Sequence, residues 1–351
     1  LISSVLALKV TPKKQIFLFL ILLLSILLIF SCEDALDQDQ SSNLVFVASE
    51  GTYGNSDGSI AVFSENEKIQ TIDAVGDVVQ SLLVDGNNLF VIVNNSHLIK
   101  RYSITETGLS LPGIEIETDN SSPREMVVVD DKLYFTNWNS RDVKVLDLIT
   151  FSVSSTISID GTPEDIVTDG DFLWVSIPQL ELYDGNNGSS VVKIDLDSEE
   201  VIETYDVGRG PEHMLIQDNT LWISRTFYAS DWSSTYYGSS KLDLISGEVT
   251  TINYGLGLVC GGNVLKMNNE VYRTVNGGVA PLDAALELNI SGKIGSYQNL
   301  YSASSMSDNL YLGTSDYVAP DTVNIHNNLG ELKSTLVVGV LPGDFATWES
   351  D

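Results

Sequence analysis

The chain of 351 residues is poor in the residues that carry most enzymatic and metal chemistry. It has three histidines and two cysteines. His97 and His326 stand isolated in separate parts of the chain, and no His pair has metal-ligand spacing, so a zinc site is not expected. Two cysteines cannot staple a domain of this size, and a disulfide framework is excluded as the source of stability. Basic residues are scarce, at 18 Lys and Arg against 48 Asp and Glu. Residues 1–31 hold three of the lysines and none of the acids, which leaves the rest at a formal −33. Nucleic acid and anionic lipid are poor partners for such a surface. Beyond the N-terminal segment no stretch has the apolar periodicity of an amphipathic helix.

What the chain does have is a repeat. A short β-branched and aromatic run follows an Asp- or Asn-rich turn seven times. The copies are Asn43–Ala48, Asn88–Val93, Lys132–Asn137, Asp171–Ser176, Thr220–Arg225, Glu270–Val275 and Asn309–Thr314, at intervals of roughly 38 to 50 residues. Around each run a four-strand unit can be read. In the fourth copy Pro163–Gly170 gives strand a, Asp171–Ser176 strand b, Ser190–Asp195 strand c and Val201–Val207 strand d. This predicts an all-β fold, a seven-bladed β-propeller of four-stranded antiparallel blades over residues 44–351. The first copy lacks a strand a. Leu341-Pro-Gly-Asp-Phe-Ala-Thr-Trp348 resembles the start of strand a in other copies, so the C-terminal strand is expected to complete the first blade and close the ring.

The N-terminus reads as an address. Lys9, Lys13 and Lys14 precede the apolar run Ile16–Phe30, which ends in Ser31-Cys32. The run is short of the ~20 residues of a membrane-spanning helix. Residues 1–31 are expected to be a lipoprotein signal peptide, with an uncleaved anchor helix as the alternative. Cys32 is then the lipidated residue, and residues 32–43 an acidic polar tether. Cys260 is left without a partner and is expected to be a small core residue.

In such a ring the d–a and b–c connections share one face, and the two faces differ in composition. The a–b turns are tight, as in Asp85-Gly-Asn-Asn88. The b–c connections are long and aromatic, and long loops on a rigid scaffold are where binding residues concentrate. Tyr53, Trp138, Tyr183, Phe227, Tyr228, Trp232, Tyr236, Tyr237 and Tyr317 all fall in them, five of these within residues 226–238. Arg124, Arg141, Arg209, Arg225 and Arg273 lie in or beside the same face, which points to recognition of an anionic or amide-bearing ligand. The alternative is that they brace loops against Glu125, Glu164 or Glu212, and that the rings pack on one another. His213, in Gly210-Pro-Glu-His213, is placed near the axis. The turn Asp184-Gly-Asn-Asn-Gly-Ser189 lacks the further acids of a calcium loop, and no metal is expected there.

The opening Glu50-Gly-Thr-Tyr-Gly-Asn-Ser-Asp-Gly-Ser-Ile60 and the Pro-Glu turns at Pro163 and Pro211 resemble the YncE-like propeller lipoproteins of Bacteroidota. The resemblance covers most of residues 44–348. It departs in the blades beginning near Gly76, Gly257 and Tyr301, where the Pro-Glu turn is absent. It implies a non-enzymatic, lipid-anchored protein of the outer membrane facing the medium. It implies further that the top face binds a small-molecule ligand, a corrinoid such as cobalamin in some members, passed to a TonB-dependent transporter. No resident cofactor is implied. Related propellers also include lyases and quinoprotein-like dehydrogenases; in that alternative His213, Glu212 and Arg209 would act. A protein-interaction or surface-layer scaffold is a third expectation.

Overall fold

The computed structural model describes residues 43–257 and 262–350. The expected signal peptide, Cys32, all of the tether but Asn43, and Cys260 lie outside the described residues. Seven antiparallel sheets follow one another along the chain. Six of them begin with an inner strand a: Val79–Asp85, Pro123–Val129, Ile166–Thr168, Pro211–Gln217, Val264–Met267 and Leu300–Met306. The first blade takes its inner strand from the other end of the chain. Pro342–Glu349 pairs antiparallel with Asn43–Ser49, placing Trp348 opposite Leu44 and Phe345 opposite Val47. The ring is a seven-bladed β-propeller, and no free inner edge is left on its first blade.

The repeated runs are the b strands, and their boundaries agree with the periodicity to within a few residues. Each carries apolar side chains on both faces because each face meets a neighbouring blade. Leu44, Phe46 and Ala48 pack against Val91 and Val93 of the second blade, whereas Val47 packs against Tyr311 and Val323 of the seventh. Seven apolar clusters result, one between each pair of adjacent blades. A hydroxyl near the end of strand b adds a polar link to the next blade. Thr136 Oγ1 donates to the Glu164 carbonyl at 2.6 Å, Ser176 Oγ to that of Glu212 at 2.7 Å, and Ser224 Oγ to that of Gly262 at 2.5 Å.

The a–b hairpins are as tight as their sequences require. Val129 pairs with Lys132, Gln217 with Thr220 and Met267 with Glu270, each across two residues. The left-handed backbone at Asp130, Asp218, Asn268 and Asn269 is the conformation that Asp and Asn tolerate best.

Two blades depart from the common plan. In the second, the outer positions are shared by Gly108–Leu109 and Ile114–Glu117, both paired with Leu98–Thr105. In the sixth, three regular strands are followed by an irregular segment. There the outer strand is reduced to bridges from Val279 to Ile294 and from Leu282 to Leu288.

Candidate functional site

The inner strands converge on the ring axis, and their first residues surround a polar cavity of about 290 Å³. Every blade contributes to it. Asp344 comes from the first, Gln80 from the second, Arg124 and Glu125 from the third, and Glu164 from the fourth. Glu212 and His213 come from the fifth, Asn263 from the sixth and Tyr301 from the seventh. Pro123, Pro211 and Pro342 open their strands at the one position where the missing N–H costs no ladder bond. The residues that follow these prolines, Arg124, Glu212 and Gly343, line the cavity.

Arg124 is committed within this wall. Its Nη2 lies 2.6 Å from Glu164 Oε1, its Nε 3.1 Å from Glu164 Oε2, and its Nη1 donates to Gln80 Oε1 at 2.6 Å. The guanidinium lies 4.2 Å from the centre of the Trp138 ring, a cation–π contact. The acids outnumber it. Burial pushes the Glu212 carboxyl up to about 7, with nearby His213 and a bond to Thr226 opposing the shift. Burial likewise raises Asp344 to about 6, against the N–H of Leu82 that donates to it. Glu125 is held well above the usual range by burial and then by Asp344, Asp165 and Glu164, with Arg124 opposing. Glu50 and Asp165 are raised by burial as well. Carboxyls are desolvated here faster than the two basic groups can compensate them.

Above the cavity stands the fifth blade. Residues 226–238, expected as a long loop, are mostly a hairpin. Strand Thr220–Tyr228 pairs with Thr235–Asp243 as far as Tyr228 opposite Thr235, leaving a turn of residues 229–234. Phe227 and Tyr236 are therefore cross-strand neighbours, stacked at 5.6 Å with planes 11° apart. Tyr228 lines the cavity, and its ring lies 5.0 Å from that of Trp232 at the turn. Trp232 is 53% exposed, and Tyr53, Tyr183 and Tyr317, from the b–c connections of three other blades, are 75%, 75% and 54% exposed. Tyr317 packs edge-on against Tyr301, whose hydroxyl donates to Glu50 Oε1 at 2.6 Å.

The other residues singled out in the sequence lie elsewhere. Arg225 is 2% exposed, and its guanidinium donates to the carbonyls of Arg209 and Ile252 and to Asn253 Oδ1. Burial lowers its pKa to about 10. Its place is inside the wall beside the sixth blade, away from the rim. Arg273, fully buried, does the same with the carbonyls of Gly238, Thr274 and Arg225. Tyr237 packs against Tyr254 and under Arg273. Arg209 binds the carbonyls of Gly185, Asn186 and Tyr228 and lies over Phe227. Arg141 is ion-paired with Glu181 on the exposed surface. These four arginines are held by backbone carbonyls, Asn253 or Glu181, and Arg124 is the one that pairs with an acid named in the sequence, Glu164. His213 alone of the histidines reaches the cavity. Asp184 accepts N–H groups from Leu180, Glu181 and Asn187, ordinary turn chemistry.

The acidic wall was missed in the sequence because its members lie about 40 residues apart, one or two per turn. The shared position, just after or near a Pro opening strand a, was the available signal.

No protein-family model and no curated protein matches the chain. Solved structures do. A 6-phosphogluconolactonase-like protein of Bacteroides fragilis superposes with a TM-score of 0.60 at 14% identity, over 89% of this chain and 99% of that one. Hydrazine synthase of Kuenenia stuttgartiensis gives 0.58 at 16% identity, over 76% and 88%. AztD of Citrobacter koseri gives 0.55 at 12% identity, over 88% and 98%. At these identities the likeness is one of fold.

Proposed function

We propose that this chain is a non-enzymatic binding protein that takes a ligand at the axial mouth of the propeller. The observation that carries the reading is the rim. Exposed Tyr53, Tyr183, Trp232 and Tyr317 come from four different blades, on the face where Glu50 and Tyr228 open into the axial cavity. Aromatic side chains on a rigid ring offer apolar area with few rotors to freeze, which is what a binding surface needs. Of the three groups of the enzyme alternative, His213 and Glu212 line the cavity, whereas Arg209 is held on the carbonyls of Gly185, Asn186 and Tyr228.

The N-terminal basic and apolar segment ending at Cys32 supports a lipid-anchored protein outside the cytoplasmic membrane. The resemblance to the YncE-like lipoproteins adds a corrinoid as candidate ligand and a TonB-dependent transporter as its recipient. A corrinoid is too broad for the cavity and would lie across the rim.

Titration calorimetry of the purified chain with cobalamin and with cobinamide tests this. Saturable one-to-one binding that is weakened at least tenfold by Trp232→Ser together with Tyr183→Ser would support a corrinoid at the rim. No saturable heat with a folded protein would sink the corrinoid assignment.

A further inference from the structure

Where the sixth blade departs from the common plan, it builds a cavity against the fifth. After strand Gly278–Pro281 the chain turns back on itself in place of a regular outer strand. Asp283 Oδ1 accepts the N–H groups of Ala285 and Glu287, both at 2.8 Å, and Leu282 bridges to Leu288, closing a short ledge. Leu286 is fully buried within it, and the Tyr254 hydroxyl donates to the Leu286 carbonyl at 2.7 Å. Lys241 of the fifth blade reaches across to the Ala284 carbonyl. Between the ledge and the fifth blade lies a volume of about 520 Å³, within the range of small-molecule sites. Gln217 and Asn269, which line it, belong to a–b hairpins, so it lies on the face opposite the rim.

The lining is graded from apolar to polar. Trp222 is half-buried and packs with Val271 and Leu282 to form an apolar floor. Glu270, Asp283, Glu287 and Asn289 are exposed at the edge. Gln217, half-buried, supplies the polar group next to the floor. Its Nε2 donates to the Asn269 carbonyl at 2.7 Å, which fixes the amide, because a flip would set oxygen against oxygen. Its Oε1 is then a buried acceptor that meets no donor in the protein. Such an acceptor is costly unless a bound group supplies one.

We infer that this cavity binds a neutral sugar ring, with Trp222 as its packing surface and Gln217 Oε1 as acceptor for one hydroxyl. A pyranose carries C–H groups on its ring faces and hydroxyls round its edge, each hydroxyl both donor and acceptor. The C–H groups suit Trp222 and Leu282, and the hydroxyls suit Gln217 and the amides and acids at the edge. An anion would meet Glu270, Asp283 and Glu287 with no basic residue among the described lining. An organic cation would find its carboxylates only at the exposed edge, where an ion pair is worth little, and no charge in the enclosed part. The site shares no lining residue with the axial cavity and stands or falls independently of the corrinoid reading.

Saturation-transfer NMR on the full chain tests this with methyl β-glucopyranoside and methyl β-galactopyranoside, and with tetramethylammonium as the cationic alternative. Saturable binding of at least one glycoside, with saturation reaching its ring C–H protons, is the expected result. Gln217→Leu removes the acceptor at nearly constant volume and should weaken that binding about fivefold, the scale of one lost hydrogen bond. Trp222→Leu should abolish the transfer to the ring protons. Thermal melts verify that the variants are folded, and Gln217→Leu, beside a hairpin turn, carries the test if Trp222→Leu does not fold. Glycoside binding that Gln217→Leu leaves unchanged would overturn the site. So would tetramethylammonium binding without glycoside binding, or no binding of any of the three probes.

Discussion

The carboxylate of Asp344, on the strand that closes the ring, accepts the main-chain N–H of Leu82 in the second blade at 2.7 Å. The first blade is thus tied to its neighbour at the axis by a group that pays a desolvation cost at neutral pH. Two variants separate the acceptor from its charge. Asp344→Ala leaves the Leu82 N–H without its partner and should lower stability by about 2 kcal/mol. Asp344→Asn keeps an oxygen acceptor and removes the charge, so at pH 8 it should be neutral or stabilising. Urea unfolding of the three proteins decides. Equal destabilisation by both variants would mean that the charge itself holds the blade.

The same wall sets a pH dependence with a definite sign. Glu212 is raised from an ordinary 4.5 to about 7, and Asp344 from 3.8 to about 6. The folded state therefore holds these protons more tightly than the unfolded chain. Their contribution is fully present below pH 4 and is lost as pH rises through 6 and 7. The melting temperature should fall from pH 5 to pH 8. Relief of the general negative charge on acidification acts in the same direction, so the diagnostic is a variant. Glu212→Gln should flatten the curve over that window by something on the order of 3 kcal/mol at most. A parallel curve would mean that Glu212 is not the group being titrated.

The ring was legible because propeller strands b are buried on both faces, and that demand writes the same β-branched and aromatic run seven times. Lys132–Asn137 and Asn309–Thr314 needed no adjustment. The closing strand was legible for a related reason: Pro342-Gly-Asp344 repeats the turn that precedes other inner strands. The hairpin tip was not. Phe227 and Tyr236, or Thr226 and Tyr237, are symmetric about the 229–234 turn, but Ser, Gly and Tyr are equally at home in loops. The convergence of the axial acids was invisible for a different reason. Each one looks like a turn residue in its own repeat, and only ring closure brings Glu125 near Asp344.

Arg225 and Trp232 lie close in sequence and should respond in opposite ways. Arg225 is buried with its donors on carbonyls of Arg209 and Ile252. Arg225→Met leaves those carbonyls unmet and should cost about 2–4 kcal/mol. Trp232 sits at the exposed turn, so Trp232→Ser should change stability by less than about 1 kcal/mol while altering binding at the rim. Denaturation midpoints measured on both variants check the division. A destabilising Trp232→Ser would place that ring in the hairpin's packing instead of on a binding surface.

Closure itself can be tested by removing residues 342–351. Phe345, Ala346 and Trp348 are buried between the first blade and its neighbours, and Trp348 Nε1 donates to Asn87 Oδ1 at 3.0 Å. Without them Asn43–Ser49 becomes a free inner edge with apolar residues on both faces, a template for pairing with other chains. The shortened chain should aggregate or lose its cooperative melt. A synthetic peptide of residues 340–350 added in trans should restore both monomer and melt, because strand addition needs only an extended segment with the right alternate side chains. In that peptide, replacing Phe345 and Trp348 by Ser should abolish the rescue, since Phe345 meets Val47 and Trp348 meets Leu44 across the seam. A shortened chain that melts like the full one would show that the remaining six inner strands hold the ring without closure.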